Sequence, residues 1–252
     1  HWLIKGRTAV GNDNADSASL YIQRGTTVFG EDGDDFLVVR RGSKIEASGT
    51  ATLPITFTSS EDMTGGETAI GQWGGLVILG NAPTNLCNTG DDGDTSEAEL
   101  ANCGVAAEGD AGQFGGNQPE DNSGTIQYVV VKYAGRTLGN GDELNGISFA
   151  GVGSQTNVHH IQVHQNLDDG IEFFGGSVNV RYVVLTDNGD DSFDWNSLQQ
   201  RQQNIGRELI SLGDTLVLPG DPDWIEPKTG NDDNLSVKIG WYLLRKQTIF
   251  RE

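Results

Sequence analysis

An acidic cluster occurs twice between residues 166 and 195, in the same order and at a constant offset of 22 residues. The first copy reads Asn-Leu-Asp-Asp-Gly-Ile-Glu from residue 166, and the second reads Asn-Gly-Asp-Asp-Ser-Phe-Asp from residue 188. The repeated carboxylates are Asp168, Asp169, Glu172, Asp190, Asp191 and Asp194. Carboxylates on such a fixed repeat could bind a metal ion, hydrolyse a sugar, or keep a surface in contact with water.

Apolar residues repeat together with this cluster. Three triplets share one internal spacing: Ile126/Val129/Val131, Val158/Ile161/Val163 and Val180/Val183/Leu185. Their offsets are 32 and then 22, and the extra residues of the first offset fall in the turns near 136–143 and 153–156. Segments 75–78, 146–149, 170–173 and 192–195 alternate with period two, which is typical of strands. Near the amino terminus, 20–28 recurs at 37–45, an offset of 17.

Short strands with Gly/Asn/Asp turns and insertions confined to corners predict a solenoid. We therefore predict an all-β fold, a single-stranded right-handed parallel β-helix, forming one domain over residues 1–252. Coils would stack about 4.8 Å apart, so equivalent residues would form ladders. We expect two inner ladders, Ile147/Ile171/Phe193 and Phe149/Phe173/Trp195. Residues 196–252 do not repeat, and we predict an irregular region there that could cap the solenoid.

The two inner ladders also predict where the side chains of the acidic cluster point. If Ile171 and Phe173 point inward, Glu172 points outward, with Asp194 one coil along and the aspartate pairs stacked in the adjoining turn. Stacked carboxylates repel unless they share a cation, and Ca²⁺ prefers six to eight hard oxygen ligands. We therefore predict a calcium site formed by the six carboxylates. The alternative is that Asp and Asn cap their own turns through side-chain hydrogen bonds.

Three other groups of residues could bind ligands or cross-link the chain. Asp32, Asp34 and Asp35, in a turn near the amino terminus, are second-rank calcium ligands. The histidines of 159–164 share one strand, with His160 and Gln162 beside His164 on its outer surface; they are either a transition-metal site or simply exposed. Two cysteines lie in a polar segment, 81–123, that interrupts the coil pattern. We predict that this segment protrudes as a loop excursion closed by a Cys87–Cys103 disulfide.

Composition limits the partners of the chain. With 36 acidic and 16 basic residues the formal charge is −20, which disfavours nucleic acid and anionic membranes. No apolar run approaches the roughly 20 residues of a membrane span. A disulfide is typical of an oxidising compartment, so we expect an extracellular or bacterial cell-surface location. The expected partners are cations, with glycans or another surface protein as further candidates.

Several joined motifs resemble one family of secreted or cell-surface proteins from marine bacteria. They include GQWGGLVILGNAP (71–83), ELNGISFAGVG (143–153) and the two acidic copies within 166–195, and the resemblance covers most of residues 1–195. Members of that family are expected to be β-helical, and the resemblance implies no particular activity. Together with the predicted calcium site, the sequence leads us to expect a secreted or surface-displayed calcium-binding β-helix with a binding, adhesive or scaffolding role rather than an enzyme.

The acidic copies are also similar to motifs on consecutive coils of polygalacturonase-type glycoside hydrolases. By that resemblance Asp168 or Asp169 would match the first acidic position, and Asp190 and Asp191 the paired aspartates. Inverting hydrolases use one carboxylic acid to protonate the leaving oxygen and another carboxylate to activate water. The later histidine motif of those enzymes is missing, because no histidine follows His164. A polysaccharide hydrolase or lyase using these four aspartates is therefore the alternative function.

Overall fold

The computed structural model describes residues 1–87, 97–138 and 141–196. The strands, in chain order, are β1 (Trp2–Leu3), β2 (Arg7–Val10), β3 (Ser19–Ile22), β4 (Thr27–Gly30), β5 (Phe36–Val39), β6 (Lys44–Ser48), β7 (Ile55–Ser59), β8 (Gly75–Leu79), β9 (Val105–Ala106), β10 (Gln113–Phe114), β11 (Gly124–Lys132), β12 (Arg136–Thr137), β13 (Glu143–Leu144), β14 (Ile147–Ala150), β15 (Asn157–His164), β16 (Ile171–Phe174), β17 (Asn179–Thr186) and β18 (Phe193–Asn196). The helices are α1 (Ser60–Thr64) and α2 (Glu97–Ala101), with single 3-10 turns at Asn85–Cys87 and Glu108–Asp110. No helix among the described residues is long and apolar enough to cross a membrane.

Two parallel sheets contain most of the strands, and the chain passes repeatedly from one sheet to the other. The first sheet has the order β1-β4-β7-β11-β15-β17, with β3 on β6 and β6 on β11; the second has the order β2-β5-β8-β14-β16-β18. Two short antiparallel pairs, β9–β10 and β12–β13, lie in the insertions. The predicted all-β fold with parallel strand pairing is confirmed, while the right-handed sense of the coil stays a prediction.

Strand register confirms two of the three predicted offsets. Val158 pairs with Val180, an offset of 22, and Ile126 pairs with Val158, an offset of 32. The offset of 17 is not a coil repeat. Leu20 pairs with Ile45 in the first sheet, whereas Leu37 lies in the second sheet. That repeat therefore relates similar strand-and-turn units in two sheets, which a one-dimensional pattern does not distinguish from stacked coils.

The core lies between the sheets and contains the predicted inner ladders. Ile147, Ile171 and Phe193 are in register on β14, β16 and β18 and are buried. The Phe173 ring stacks on Phe149, at 5.6 Å between ring centroids, and on Trp195, at 5.8 Å. Burial of such side chains in a continuous column is the main favourable contribution to the free energy of folding.

Glycine begins or immediately precedes three of the strands that stack in the second sheet, because neighbouring coils approach closely there. A Cβ atom on Gly75 would lie 2.0 Å from the Asn145 carbonyl oxygen, and one on Gly146 would lie 2.6 Å from the Gly170 carbonyl oxygen. Real Cβ atoms do not approach backbone atoms this closely. The repeated glycine of the sequence pattern is therefore required by coil-to-coil contact.

The insertion at 81–123 contains the predicted Cys87–Cys103 disulfide. Part of the insertion packs on the outer face of the second sheet, and the loop excursion as a whole stays a prediction. Ala111 and Phe114 form a second apolar cluster with outward-facing residues of that sheet, including Val38, Val77 and Leu79. An apolar outer face requires cover from water, and the insertion supplies it.

Arg41 joins this insertion to the coils. Its guanidinium group donates to both carboxylate oxygens of Asp13, at 2.6 and 2.8 Å, and to the carbonyl oxygens of Cys103 and Gly115, at 2.7 and 2.9 Å. The Arg41 side chain is only 8% exposed. The hydrogen bond from Arg41 holds the pKa of Asp13 below its ordinary value. The contact therefore connects an exposed turn, a buried cation and the disulfide segment.

The prediction of an irregular region over 196–252 falls outside the described residues, apart from Asn196 at the end of β18.

We predict that Arg41→Ala lowers the free energy of unfolding by about 3 kcal/mol, because it leaves buried carbonyl oxygens without a donor. For a chain of this length that corresponds to a fall in Tm of roughly 6–12 °C. Thermal unfolding followed by circular dichroism measures it. The exposed Arg24→Ala is the control and should unfold within about 0.5 kcal/mol of the parent. If Arg41→Ala and Arg24→Ala melt at the same temperature, the stabilising role given to the Arg41 hydrogen bonds is wrong.

Candidate functional site

The repeated acidic residues lie on the outer side of the second sheet and in the turns that precede its last two strands. Glu172, on β16, is in register with Asp194, on β18, as predicted. Their strand neighbours Ile171 and Phe173 belong to the core, so the alternation of the strand turns both acidic side chains outward. Asp168, Asp169 and Asp190 lie in the turns immediately before these strands.

Five of the six predicted ligands form two overlapping groups. Carboxylate oxygens of Asp168, Asp169 and Asp190 lie within 4.8 Å of one another, and the same limit holds for Asp169, Glu172 and Asp194. Asp169 is common to both groups, which we call the acidic ladder. Asp191 belongs to neither group, and its backbone is hydrogen-bonded to the neighbouring coil.

Two hydrogen bonds from backbone N–H groups to side-chain oxygens connect the same turns on successive coils. The Asn145 Oδ1 atom accepts from the Asp169 backbone N–H at 3.1 Å, and one coil later the Asp169 Oδ1 atom accepts from the Asp191 N–H at 2.8 Å. Each bond joins residues more than twenty positions apart, on neighbouring coils, so it is not the cap of a residue's own turn that the turn-cap alternative describes. One oxygen of Asp169 is used for this contact between coils. The other oxygen has no part in that bond.

Two of the carboxyl groups are buried, although sequence reasoning placed the cluster on an outer surface. Asp169 is 6% exposed and Glu172 is 4% exposed. Asn145 and Ser148, both buried, lie beside Glu172, and the Asn145 side-chain amide donates to the Glu172 carboxylate. Along β8, β14, β16 and β18 the outward position changes from Val77 through Ser148 to Glu172 and Asp194. The outer face is thus apolar at one end and acidic at the other.

Burial and mutual repulsion raise the pKa values of the acidic ladder. The pKa of Asp169 rises to about 8, chiefly because of burial and then because of the charges of Asp168, Asp194 and Asp190. The pKa of Asp168 rises to about 6, through burial and then through Glu143, Asp190 and Asp194. Each shift means that the site is unfavourable for an uncompensated negative charge.

Several residues that sequence reasoning missed complete the site. The pKa of Glu108, in the 81–123 insertion, rises to about 7 through burial and then through Asp142, Asp168 and Glu143. The Glu143 backbone N–H donates to the Glu108 carboxylate. No repeat places Glu108 near the ladder, because it comes from a non-repeating insertion. Asn145 could have been found, since it precedes the 146–149 segment as Asp169 precedes 170–173.

The donor set fits calcium. Two oxygens bound to one calcium ion, each at 2.3–2.6 Å, are separated by at most about 5 Å, and each group satisfies this limit. All the side-chain donors are hard carboxylate oxygens, which suit Ca²⁺, Mg²⁺ or Mn²⁺ rather than thiophilic metals. Each group supplies three carboxylates, so water or backbone carbonyl oxygens would have to complete a coordination number of six to eight.

The second-rank candidates at 32–35 have protein partners. Asp35 accepts from the backbone N–H groups of Gly6, Glu31 and Asp32, through both carboxylate oxygens. Asp32 accepts from the Asp34 N–H at 2.8 Å, and the Asp34 carboxylate lies 3.4 Å from the Arg136 guanidinium group. These contacts account for the shape of this acidic turn without a metal ion. The two acidic-ladder groups are the metal-ligand clusters found among the described residues.

The comparison with known families agrees with this architecture. The model of the pectate-lyase-like β-helix domain matches residues 2–199. The chain belongs to the pectate-lyase-like β-helix family. No curated protein and no solved structure matches it. Membership confirms the predicted β-helix family and points to a polysaccharide-related or binding protein. The marine bacterial origin and the similarity to polygalacturonases stay predictions.

Metal-free protein should lose stability as pH rises from 6.5 to 8. Asp169 and Glu108 have higher pKa values in the folded chain than the ordinary 3.8 and 4.5. Folding therefore binds protons, and the free energy of unfolding falls as these carboxyl groups ionise. His159 and His160, whose pKa values are lowered, act in the opposite direction, but mainly below pH 6.5. Melting curves in excess chelator measure the slope.

Asp169→Asn is the matched test of this pH dependence, because Asn145 shows that an amide can accept the same type of hydrogen bond. The variant cannot ionise, so its loss of stability between pH 6.5 and 8 should be smaller than that of the parent. Asp187→Asn, in the exposed turn before the second acidic copy, should keep the parental slope. A parental Tm that is flat or rises over this range would contradict the assigned electrostatics.

Proposed function

We propose that this β-helix domain is extracellular or displayed on a bacterial cell surface, binds calcium at the acidic ladder, and acts in binding, adhesion or scaffolding. One observation carries the calcium proposal. Asn145 and Asp169 make the same backbone hydrogen bond on successive coils, yet one side chain is an amide and the other a carboxylate. The hydrogen bond needs no negative charge. A buried carboxylate at Asp169 is therefore costly unless a cation compensates it.

The neighbours of Asp169 support the same conclusion. Asp168, Asp190, Glu172 and Asp194 add further negative charge within 4.8 Å, in two groups that share Asp169. A divalent cation bound there would convert mutual repulsion into attraction, and hard carboxylate oxygens favour calcium over copper or zinc. When bound, calcium would supply positive charge and rigidity to the turns.

The calcium ion also defines the partners we propose. The chain carries a formal charge of −20, so an acidic glycan would be repelled unless a cation lies between the two. Calcium at the acidic ladder could contact both the carboxylates of the protein and those of an acidic glycan or surface protein. The disulfide supports an oxidising, extracellular environment, and the family membership supports a polysaccharide-related role.

Calcium should raise the Tm of the parent and bind measurably by isothermal titration calorimetry. At a hundredfold excess over Kd, a ligand specific for the folded state contributes about 2.7 kcal/mol, which corresponds to roughly 5–11 °C for a chain of this size. Asp190→Asn and Asp194→Asn, one from each group, should each reduce this shift, and the double variant should nearly abolish it. Both substitutions remove charge and retain shape.

Asp187→Asn is the control, because Asp187 lies outside both groups and asparagine tolerates its positive φ of 56°. This variant should keep the full calcium-dependent shift. If the parent melts identically in calcium and in chelator, the calcium proposal is wrong and turn capping explains the carboxylates. If the control loses the shift as the ladder variants do, the effect comes from general charge rather than a site.

A polysaccharide hydrolase or lyase is the second candidate, favoured by the raised pKa values of Asp168 and Asp169. A carboxyl group that keeps its proton near neutral pH can act as a general acid. Three features weigh against it. Asp169 is buried and hydrogen-bonded to Asp191. Oxygens within 4.8 Å leave less room than the roughly 6.5–9.5 Å between the carboxyl groups of inverting enzymes. The sequence also has no histidine after His164, where the later histidine motif of polygalacturonases would lie.

Turnover assays distinguish the two candidates. Neutral and acidic polysaccharides, including polygalacturonate, are incubated with the parent in calcium, and reducing ends and unsaturated products are measured. We expect no turnover, together with calcium-dependent retention on an acidic-polysaccharide column. Turnover that disappears in Asp190→Asn while the fold is retained would establish the enzyme instead.

A further inference from the structure

Two adjacent histidines lie on the outside of the first sheet, where β15 bends. His160 has a φ of 55°, in the left-handed region. Strict alternation would turn one of two adjacent side chains toward the core. Here Val158 and Ile161 both face the core, and His159 and His160 are both half-buried on the outside. The bend therefore brings the two imidazole rings together.

Aromatic neighbours hold both rings in place. Tyr128 and Tyr182 occupy the same bend on the neighbouring coils, with φ values of 49° and 55°. The His160 ring lies between them, 4.3 Å from the Tyr128 ring and 4.6 Å from the Tyr182 ring, at interplanar angles of 18° and 30°. His159 meets the Tyr128 ring edge-on at 6.2 Å. Rotation of the His160 ring would disrupt a stack that spans three coils.

The two imidazole rings meet head-on. Their Nδ1 atoms lie 2.7 Å apart and their ring centroids 4.9 Å apart, so the short contact lies nearly on the line between the rings. Two lone pairs that face each other at this distance repel, and so do two N–H groups. The contact is therefore favourable only with a single proton between the two nitrogen atoms. In the neutral pair, the donor ring carries its proton on Nδ1 and the acceptor ring carries its proton on Nε2.

The surroundings favour His160 as the donor. The donor ring keeps a free lone pair on Nε2, so it can bind an added proton without loss of the Nδ1 hydrogen bond. A charged His160 would lie between the faces of two tyrosine rings, which attract a cation. A charged His159 would lie beside Arg181, which is in register with it on β17. Burial, then His160 and Arg181, lower the pKa of His159, whereas burial alone lowers the pKa of His160.

The strands that pack against this pair contribute no carboxylate. Gln127 and Tyr128 face it from β11, and Arg181 and Tyr182 face it from β17. Neither strand contains Asp or Glu. Positive charge added to the pair is therefore not neutralised by either neighbouring strand.

We propose that His159 and His160 form an acid-sensitive switch in the first sheet, whose Nδ1 hydrogen bond stabilises the bend of β15 until both rings are protonated. The first added proton binds at Nε2 of His160 and leaves the hydrogen bond intact. The second can bind only at Nδ1 of His159, where it faces the Nδ1–H group of His160, so the hydrogen bond is lost and the two charged rings repel each other. The switch is separate from the acidic ladder and does not depend on calcium binding there.

Repulsion between the rings sets the size of the effect. Two unit charges 4.9 Å apart separate the two titration steps by about 2.5 pH units at an effective dielectric constant near 20. In the unfolded chain both histidines titrate near the ordinary pKa of 6.5. Below that pH the unfolded chain therefore binds more protons than the folded pair. The stabilisation is present above pH 6.5 and is lost as the pH falls.

Nitrogen-15 NMR of the imidazole rings tests the shared proton in the full chain, with calcium present and with signals assigned through bonds. At neutral pH we expect the Nδ1–H tautomer for His160 and the Nε2–H tautomer for His159. As the pH falls, His160 should titrate first, and His159 should stay neutral for about two further pH units. The Nε2–H tautomer on both rings, or titration of both rings together, would overturn the proposal. This measurement needs no variant.

Thermal unfolding against pH measures the effect on stability. His159→Gln is the test variant, because an amide oxygen can accept the His160 Nδ1–H bond and is not protonated in this range. Between about pH 6 and pH 5 its unfolding equilibrium constant should rise about tenfold less than that of the parent, since one proton fewer binds on unfolding. Comparison with the parent removes the contribution of the carboxyl groups.

His164→Gln is the matched control on the same strand. The His164 Nδ1 atom is 2.8 Å from the Thr186 hydroxyl group rather than opposite another imidazole. This variant should keep the parental dependence on pH. A parental dependence in the His159 variant, or an equal reduction in the His164 variant, would show that the facing Nδ1 atoms do not form the switch.

Discussion

Backbone hydrogen bonding between coils in exact register is the constraint on which the rest of the structure depends. Each strand of the two main sheets pairs in parallel with its equivalent one coil away, so every side chain lies beside the side chain of the same position. The spacing between neighbouring strands, about 4.8 Å, is fixed by the peptide group rather than by the side chains. A residue type that repeats in the sequence must therefore contact its own copies.

The consequence of self-contact differs between the two faces of the sheets. On the inner face, contact among Phe149, Phe173 and Trp195 is favourable, because stacked rings exclude water. On the outer face, the neighbouring carboxylates of Glu172 and Asp194 repel each other. Two unit charges 4.8 Å apart repel by about 3 kcal/mol at an effective dielectric constant near 20. That is a substantial part of the 5–15 kcal/mol typical of folding stability, so protonation, hydrogen bonding or a cation must compensate the ladder.

Sequence reasoning succeeds for residues that stack on equivalent residues of the neighbouring coils. The triplet that contains Val158 and Val180 could be aligned because stacking forces its members to be alike, and the disulfide could be inferred because a polar segment offers cysteines no other packing. Arg41 and Glu108 could not be placed. Their contacts join the coils to a non-repeating insertion, and the docking of that insertion depends on an apolar patch assembled from three distant strands.

The site arises where repeating and non-repeating parts of the chain meet. The coils supply carboxylates at fixed spacing, but hydrated carboxylates on a flat outer wall would keep ordinary pKa values. Burial is the largest cause of the raised pKa of Asp168, Asp169 and Glu108, and Glu108 and Glu143 come from the two insertions. The insertions therefore change regularly spaced turn residues into a crowded site of low dielectric constant. Cation binding is most favourable at such a site, because the bound cation replaces repulsion between the carboxylates with attraction of each carboxylate to the ion.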